Sequence, residues 1–281
     1  MANKAVLIGV NRYRIPGADL RGCVNDVTNL QSALSQYYGF GSGDMVTLLD
    51  DKATKKNIQA AIKQTVGGAK KGDVVLLHFS GHGSNVPDND GDEADNRDEI
   101  LCPHDLDWRD PLSDDWLRAT FDNMRDGVSL TVIFDCCHSG SATRAVLPPD
   151  APIIPRYLPS PWDLVAAESG RKLRGTVRAT VHGASRAARK KSDVVTADIQ
   201  EILVSGCRDD QTSADALIGG SFNGALTYNL VAAIKESKGK LSYRDLHTKV
   251  LARLKAGGYD QAPQLEGRKG RFEAQFLSPL A

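Results

Sequence analysis

Two residues able to do nucleophilic chemistry stand in small, flexible surroundings directly after apolar runs. His82 lies in Ser80-Gly81-His82-Gly83-Ser84, following Asp73 to Phe79 (DVVLLHF); Cys137 lies in Asp135-Cys136-Cys137-His138-Ser139-Gly140, following Leu130 to Phe134 (LTVIF). A thiol attacks as its thiolate, and an imidazole within reach can take the proton and later return it to a leaving amine. Small neighbours on both sides let a peptide backbone approach. Gly83 also leaves its N–H free to bind an oxyanion beside the N–H of Cys137. Taken singly, a turn histidine and a half-buried structural thiol explain either residue equally well, since free cysteine is among the most buried types. Their joint placement points the other way, because ligand sites of open α/β sheets form at the carboxyl ends of strands.

The elements that must position this pair are legible as apolar runs. Lys4 to Val10, Asp73 to Phe79, Leu130 to Phe134 and Glu201 to Ser205 are short and rich in Val, Ile and Leu, as parallel strands buried on both faces should be, with Met45 to Leu49 a weaker fifth. Between them, helical spacing predicts helices over Val24 to Tyr38, Thr54 to Val66 and Ser113 to Met124. Two more are predicted later, at Ala225 to Ser237 and at Tyr243 to Lys255 behind the N-cap Ser242. The alternation predicts an α/β fold with a mostly parallel central sheet flanked by helices. Arg271 to Leu277 is expected to add an edge strand.

The 281 residues suffice for a substantial core, and 35 basic against 35 acidic residues leave no global charge to attract nucleic acid or an anionic membrane. Five cysteines without C-x-x-C spacing argue against a disulfide framework and a zinc knuckle, and with no apolar leader near the N-terminus the expectation is a cytoplasmic protein. The neutral total hides a polarity. Asp88 to Asp115 holds twelve acidic residues against Arg97 and Arg109, whereas Arg144 to Lys191 holds ten basic residues, six prolines and only Asp150, Asp163 and Glu168 as acids. The second stretch reads as a long linker.

HFSGHGS (His78 to Ser84) and DCCHSG (Asp135 to Gly140) resemble the paired signatures of metacaspases and of their prokaryotic relatives, the orthocaspases. The likeness continues through LRGCVND (Leu20 to Asp26), DGDEADNRDEILCPHD (Asp90 to Asp105), SDDWL (Ser113 to Leu117), SGCRDDQTSADA (Ser205 to Ala216) and PQLEG (Pro263 to Gly267). Motifs of this length in this order are highly specific. The resemblance implies a caspase-like three-layer sandwich of the compact prokaryotic form, with no prodomain before the first strand. It also implies a p20-like part (1–143), the linker (144–198) and a p10-like part (199–281). Of the adjacent thiols, it assigns the nucleophile to Cys137.

The resemblance further implies cleavage after Arg or Lys, with Cys23, Asp26, Ser80 and Asp135 as the pocket for that side chain. Two carboxylates in a concave site would attract a guanidinium and repel an acid. On residue type alone, Asp26 would be a favourable charge in the first turn of a helix. Calcium, which many metacaspases need, has matching ligand positions at Asp98, Asp114 and Asp115, but the fourth is Arg144, a cation where an oxygen donor belongs. The chemistry itself requires no cofactor. The run Asp88 to Asp95 resembles an EF-hand loop without flanking helices or a closing bidentate Glu, and reads as a solvated loop.

For a protease of this specificity the basic linker is also a tethered substrate at high effective concentration, so autocleavage is expected somewhere in Arg144 to Lys191. The partners implied are protein or peptide substrates, met by a monomer. Two other readings follow from the same residues: a noncatalytic scaffold of this fold that binds a partner through its charged segments, and a calcium-binding regulatory module. Titration with an irreversible thiol-reactive inhibitor separates the first from an enzyme, and calorimetry with calcium tests the second.

Overall fold

The structure is a computed structural model and describes residues 1–88, 97–138, 151–166, 193–197, 199–208 and 211–280. Its centre is a seven-stranded sheet built from β1 (Asn3–Gly9), β2 (Met45–Leu49), β3 (Val74–Ser80), β7 (Ser129–Asp135), β9 (Val194–Thr196), β10 (Ile202–Ser205) and β13 (Gln264–Gly267). Their order is β2-β1-β3-β7-β10-β13-β9. All pairings are parallel except β10 with β13. Successive residues of the central strands enter opposite cores, Ala5 and Leu7 on one face, Val6 and Ile8 on the other, which is why these strands read as unbroken apolar runs.

Helices cover both faces. α1 (Cys23–Tyr38), α4 (Ala225–Ser237) and α5 (Tyr243–Ala256) bury Leu30, Leu34, Leu230, Val250 and Leu254 in the first core. α2 (Lys55–Gly67) and α3 (Asp114–Asp122) bury Ile58, Ile62, Leu117 and Phe121 in the second. The expected helices are therefore present, Ser242 caps as predicted, and two begin one residue later because the side chains of Thr54 and Ser113 cap from outside.

Two small antiparallel sheets stand beside the main one. β4 (Gly83–Pro87), β5 (Arg97–Leu101) and β6 (Leu112–Ser113) form one; β8 (Ile153–Pro155), β11 (Ala214–Ile218) and β12 (Ser221–Gly224) form the other. One expectation needs correcting. Arg271 to Leu277 is not a strand: a 3-10 turn at Lys269–Arg271 drops Phe272 and Phe276 into the α1/α4/α5 core, and β13 supplies the added strand instead. Within the stretch read as linker, residues 154–160 lie against the body, with Arg156 fully buried, and residues 161–166 are mostly exposed.

Candidate active site

β3 and β7 are neighbours paired from Val74 with Ser129 to Ser80 with Asp135, so the two turns that follow them emerge side by side. They carry His82 and Cys137, 4% and 1% exposed. Gly83 packs directly on the Cys137 backbone; a Cβ there would collide with the Cys137 carbonyl, so glycine is required by close approach. The amides of Gly83 and Cys137 converge on one acceptor, the carbonyl oxygen of Arg156, each at 3.1 Å. The two amides expected to bind an oxyanion therefore point to one place, and a backbone carbonyl of the same chain lies there.

The Arg156 side chain reaches the expected specificity pocket. Its Nη2 donates to Asp26 Oδ2 at 2.7 Å and to Asp215 Oδ1 at 3.0 Å; Nη1 donates to Ser80 Oγ at 2.7 Å and to the Asp135 carbonyl at 3.1 Å, and lies 3.3 Å from Asp135 Oδ2. All four side chains are fully buried with the guanidinium, and the Cys23 thiol is buried beside them within the field of Arg156. Burial on this scale is tolerable for a cation only among charged partners with good geometry.

The carboxylates are held by donors of their own. Asp26 also accepts from the Gly224 N–H at 2.9 Å and from Ser80 Oγ at 2.8 Å. Asp135 accepts from Ser213 Oγ at 2.7 Å and from the N–H and Oγ1 of Thr227 at 2.9 and 2.8 Å. Asp215 accepts from the N–H groups of Arg21 and Gly22. Burial pushes the Asp26 carboxyl up to about 7 against the lowering influence of Arg156. Gly224 closes the pocket, since a Cβ there would overlap both Asp135 and the guanidinium.

The His82 Nε2 lies 2.8 Å from the Ala18 carbonyl, which only an N–H can satisfy, so the lone pair is on Nδ1, and Nδ1 has no hydrogen-bond partner. Burial holds the imidazole down at about 4, against the raising effect of the Ala18 bond, so it is neutral and able to accept a proton near pH 7. Tyr13 fixes the residue from the other side: its hydroxyl accepts the His82 N–H at 2.7 Å and its ring lies tilted at 5.1 Å from the imidazole. The Cys137 sulfur accepts from the Ser213 N–H and from the Cys207 thiol at 3.1 Å rather than bonding to His82. That bond and burial push the Cys207 thiol well up, keeping Cys207 the protonated donor. A cysteine sulfur and a neutral imidazole whose Nδ1 lone pair has no partner are the two groups that a thiol–imidazole proton exchange requires.

The aspartates matching calcium-ligand positions lie on adjoining elements, since β5 pairs with β6, which leads into α3. Asp98 lies in β5, opposite Val86, and Asp114 and Asp115 form the first turn of α3. Among the described residues, no three His, Cys, Asp or Glu side chains are placed to hold a metal ion. Arg144 lies outside the described residues.

Four contributors to the site had no assigned place in it: Arg156, Cys207, Ser213 and Asp215. The last three fall in SGCRDDQTSADA, a segment distinctive as a motif but silent about contacts.

The family model for the metacaspase, peptidase C14 domain matches residues 3–145. Metacaspase-1A of Aspergillus fumigatus is 36% identical across 93% of this chain and 68% of its own length, and Metacaspase-1A of Aspergillus niger is 37% identical across 93% and 69%. The crystal structure of a Geobacter sulfurreducens protein, 28% identical, superposes over the whole of both chains with a TM-score of 0.70. Caspase-1 of Spodoptera frugiperda, at 14% identity, shares the fold over 95% of this chain and 92% of its own, with a TM-score of 0.56.

Proposed function

For a chain that belongs to the metacaspase family, and is therefore a cysteine-type endopeptidase of the C14 kind, we propose cleavage after Arg or Lys by a Cys137–His82 dyad, with autocleavage in the basic linker. The observation that carries the specificity is the Arg156 guanidinium among Asp26, Asp135, Asp215 and Ser80. A pocket of buried carboxylates attracts a cation and rejects an acidic side chain, whose charge would be both repelled and desolvated. The two η-nitrogens meet different acceptors, a fork that one ammonium cannot match, so Arg is favoured over Lys.

In the reaction, the Cys137 thiolate attacks the carbonyl carbon while His82 holds the proton. The Gly83 and Cys137 amides stabilise the tetrahedral oxyanion, His82 protonates the leaving amine through the nitrogen that received the proton, and water hydrolyses the thioester. The Ala18 carbonyl holds the imidazole in the tautomer this needs, and Tyr13 steadies the His82 backbone and packs on its ring.

Activity is proposed to be independent of calcium, since Arg144 stands where the family resemblance implies a fourth oxygen ligand. The five free cysteines, all buried, support a reducing, cytoplasmic location, and no described helix is long and apolar enough to cross a membrane. The working form is proposed to be a monomer. The test is hydrolysis of peptides differing only at P1, with and without EGTA, by the wild type and Cys137→Ala: Arg and Lys peptides are cut by the wild type alone, regardless of chelator. Preference for an Asp peptide would overturn the specificity.

A further inference from the structure

Residues 153–158 lie in the site as a substrate would. β8 pairs antiparallel with β11, Pro155 with Ala214 and Ile153 with Ala216, as an extended peptide adds to an open sheet edge. The Arg156 N–H donates to the Ser213 carbonyl at 2.9 Å, and its own carbonyl is the one held by the Gly83 and Cys137 amides. With the guanidinium in the pocket and the carbonyl in the oxyanion hole, a single peptide bond faces Cys137: Arg156–Tyr157. The other nine basic residues of Arg144 to Lys191 lie outside the described residues.

The leaving side of that bond is tied down as well. Tyr157 packs with Cys137 and Cys207, and its hydroxyl donates to Asp163 Oδ2 at 2.7 Å. The same carboxylate oxygen accepts from the N–H and Oγ of Ser160 at 3.1 and 2.8 Å. Asp163 Oδ1 pairs with Arg97 of β5 at 2.8 Å, and Arg97 also donates to Asn85 of β4. The Leu158 N–H donates to the Gly83 carbonyl at 3.0 Å, and Ser84 Oγ donates to the Leu158 carbonyl at 2.5 Å.

We propose that Arg156–Tyr157 is the processing bond of this chain, cut by Cys137 of the same molecule, and that the Tyr157–Asp163–Arg97 latch holds the leaving amine so that its release sets the rate. The proposal rests on the peptidase reading above. Attack by the Cys137 sulfur forms a C–S bond to the Arg156 carbonyl carbon; collapse breaks the bond to the Tyr157 nitrogen, which takes the proton from His82 and leaves as an amine. While latched, that amine can lose the proton back to His82, attack the thioester, reform the peptide bond and expel the thiolate. A group so oriented competes with water at effective concentrations on the order of 10⁵ M or more, so the acyl-enzyme reverts until Tyr157 moves away. Water then hydrolyses the thioester, leaving Arg156 with a carboxylate and Tyr157 as a new N-terminus. Until release, segment 153–158 also excludes other substrates.

The test follows the full-length chain from expression onward, by intact mass and by sequencing of the new N-terminus, at protein concentrations spanning two decades. A fragment starting at Tyr157, formed in a first-order process independent of concentration and absent in Cys137→Ala, is expected. Asp163→Asn and Arg97→Ala should quicken it about tenfold, the scale of losing a half-buried charged hydrogen bond, and Arg97→Lys should restore most of the delay. Tyr157→Phe, which removes only the phenolic hydroxyl, should quicken it as well, so the result does not hang on one variant's folding. A different first cut with Arg156–Tyr157 intact, a rate that scales with concentration, or latch variants no faster than the wild type would overturn the proposal. If Arg reporter peptides are cut but Arg156–Tyr157 is not, this inference alone fails; if no Arg or Lys peptide is cut at all, the peptidase reading fails with it.

Discussion

Two groups of aspartates in this molecule share a residue type and almost nothing else. Asp26, Asp135 and Asp215 come from α1, β7 and β11, are fully buried, and accept hydrogen bonds from Gly224, Thr227, Arg21 and Gly22 besides those from Arg156. Their charges are placed by the backbone, so a cation entering the pocket meets preorganised acceptors and little reorganisation is needed. Asp98, Asp114 and Asp115 are only partly buried, and Asp114 and Asp115 stand at the N-terminus of α3, where negative charge favours the helix whether or not anything binds. Carboxylates make a site when the fold buries them together and supplies donors to hold them there. Density of acidic residues along the chain does neither.

The contrast can be broken or sharpened by substitution, measured on processed protein with an Arg peptide. Asp135→Asn should have the largest effect, a fall in kcat/KM of about a thousandfold, since a buried partner of a charged pair costs about 2–5 kcal/mol to remove and Asp135 also orders Ser213 and Thr227. Asp26→Asn and Asp215→Asn, each taking one acceptor from Nη2, should cost about ten- to a hundredfold, mostly in KM. Gly83→Ala should lower kcat more than KM, because its Cβ collides with the Cys137 backbone and displaces an oxyanion donor. At the other end, replacing Asp98, Asp114 and Asp115 by Asn, or adding EGTA, should change the rate by no more than about twofold, as for charges that neither touch the substrate nor hold a required ion.

A pH series probes the same pocket. Asp26 lies at about 7 with the arginine bound, raised by burial although Arg156 lowers it. Without the cation its carboxyl titrates higher still. Binding of a P1 arginine therefore releases a proton in the window above about 7, and KM for an Arg peptide should fall as pH rises through that window. Asp26→Asn should remove this dependence. His82 lies near 4, so loss of the base does not intrude near neutrality.

β1, β3 and β7 were legible because they are buried on both faces and so are continuously apolar. β8, β9 and β11 to β13 are three to five residues long and too short to show a period, and β4 and β5 carry polar residues that masked them. Placement after apolar runs singled out His82 and Cys137, and the likeness of motifs chose Cys137 over Cys136 and named Cys23, Asp26, Ser80 and Asp135. Asp215 escaped because its partners lie far off in sequence, Gly22 being 193 residues away. Arg156 was one of ten equivalent basic residues until burial distinguished it. Phe272 and Phe276 fall in a run that reads as a strand, although their i, i+4 spacing serves one side of a turn.

The proposed specificity rests on the pocket of Asp26, Asp135 and Asp215. Its most direct test is kcat/KM of the processed protein on three peptides identical but for Arg, Lys or Asp at P1. Hydrolysis strongest after Arg, weaker after Lys and undetectable after Asp is the expected result. Equal or faster cleavage after Asp would contradict it.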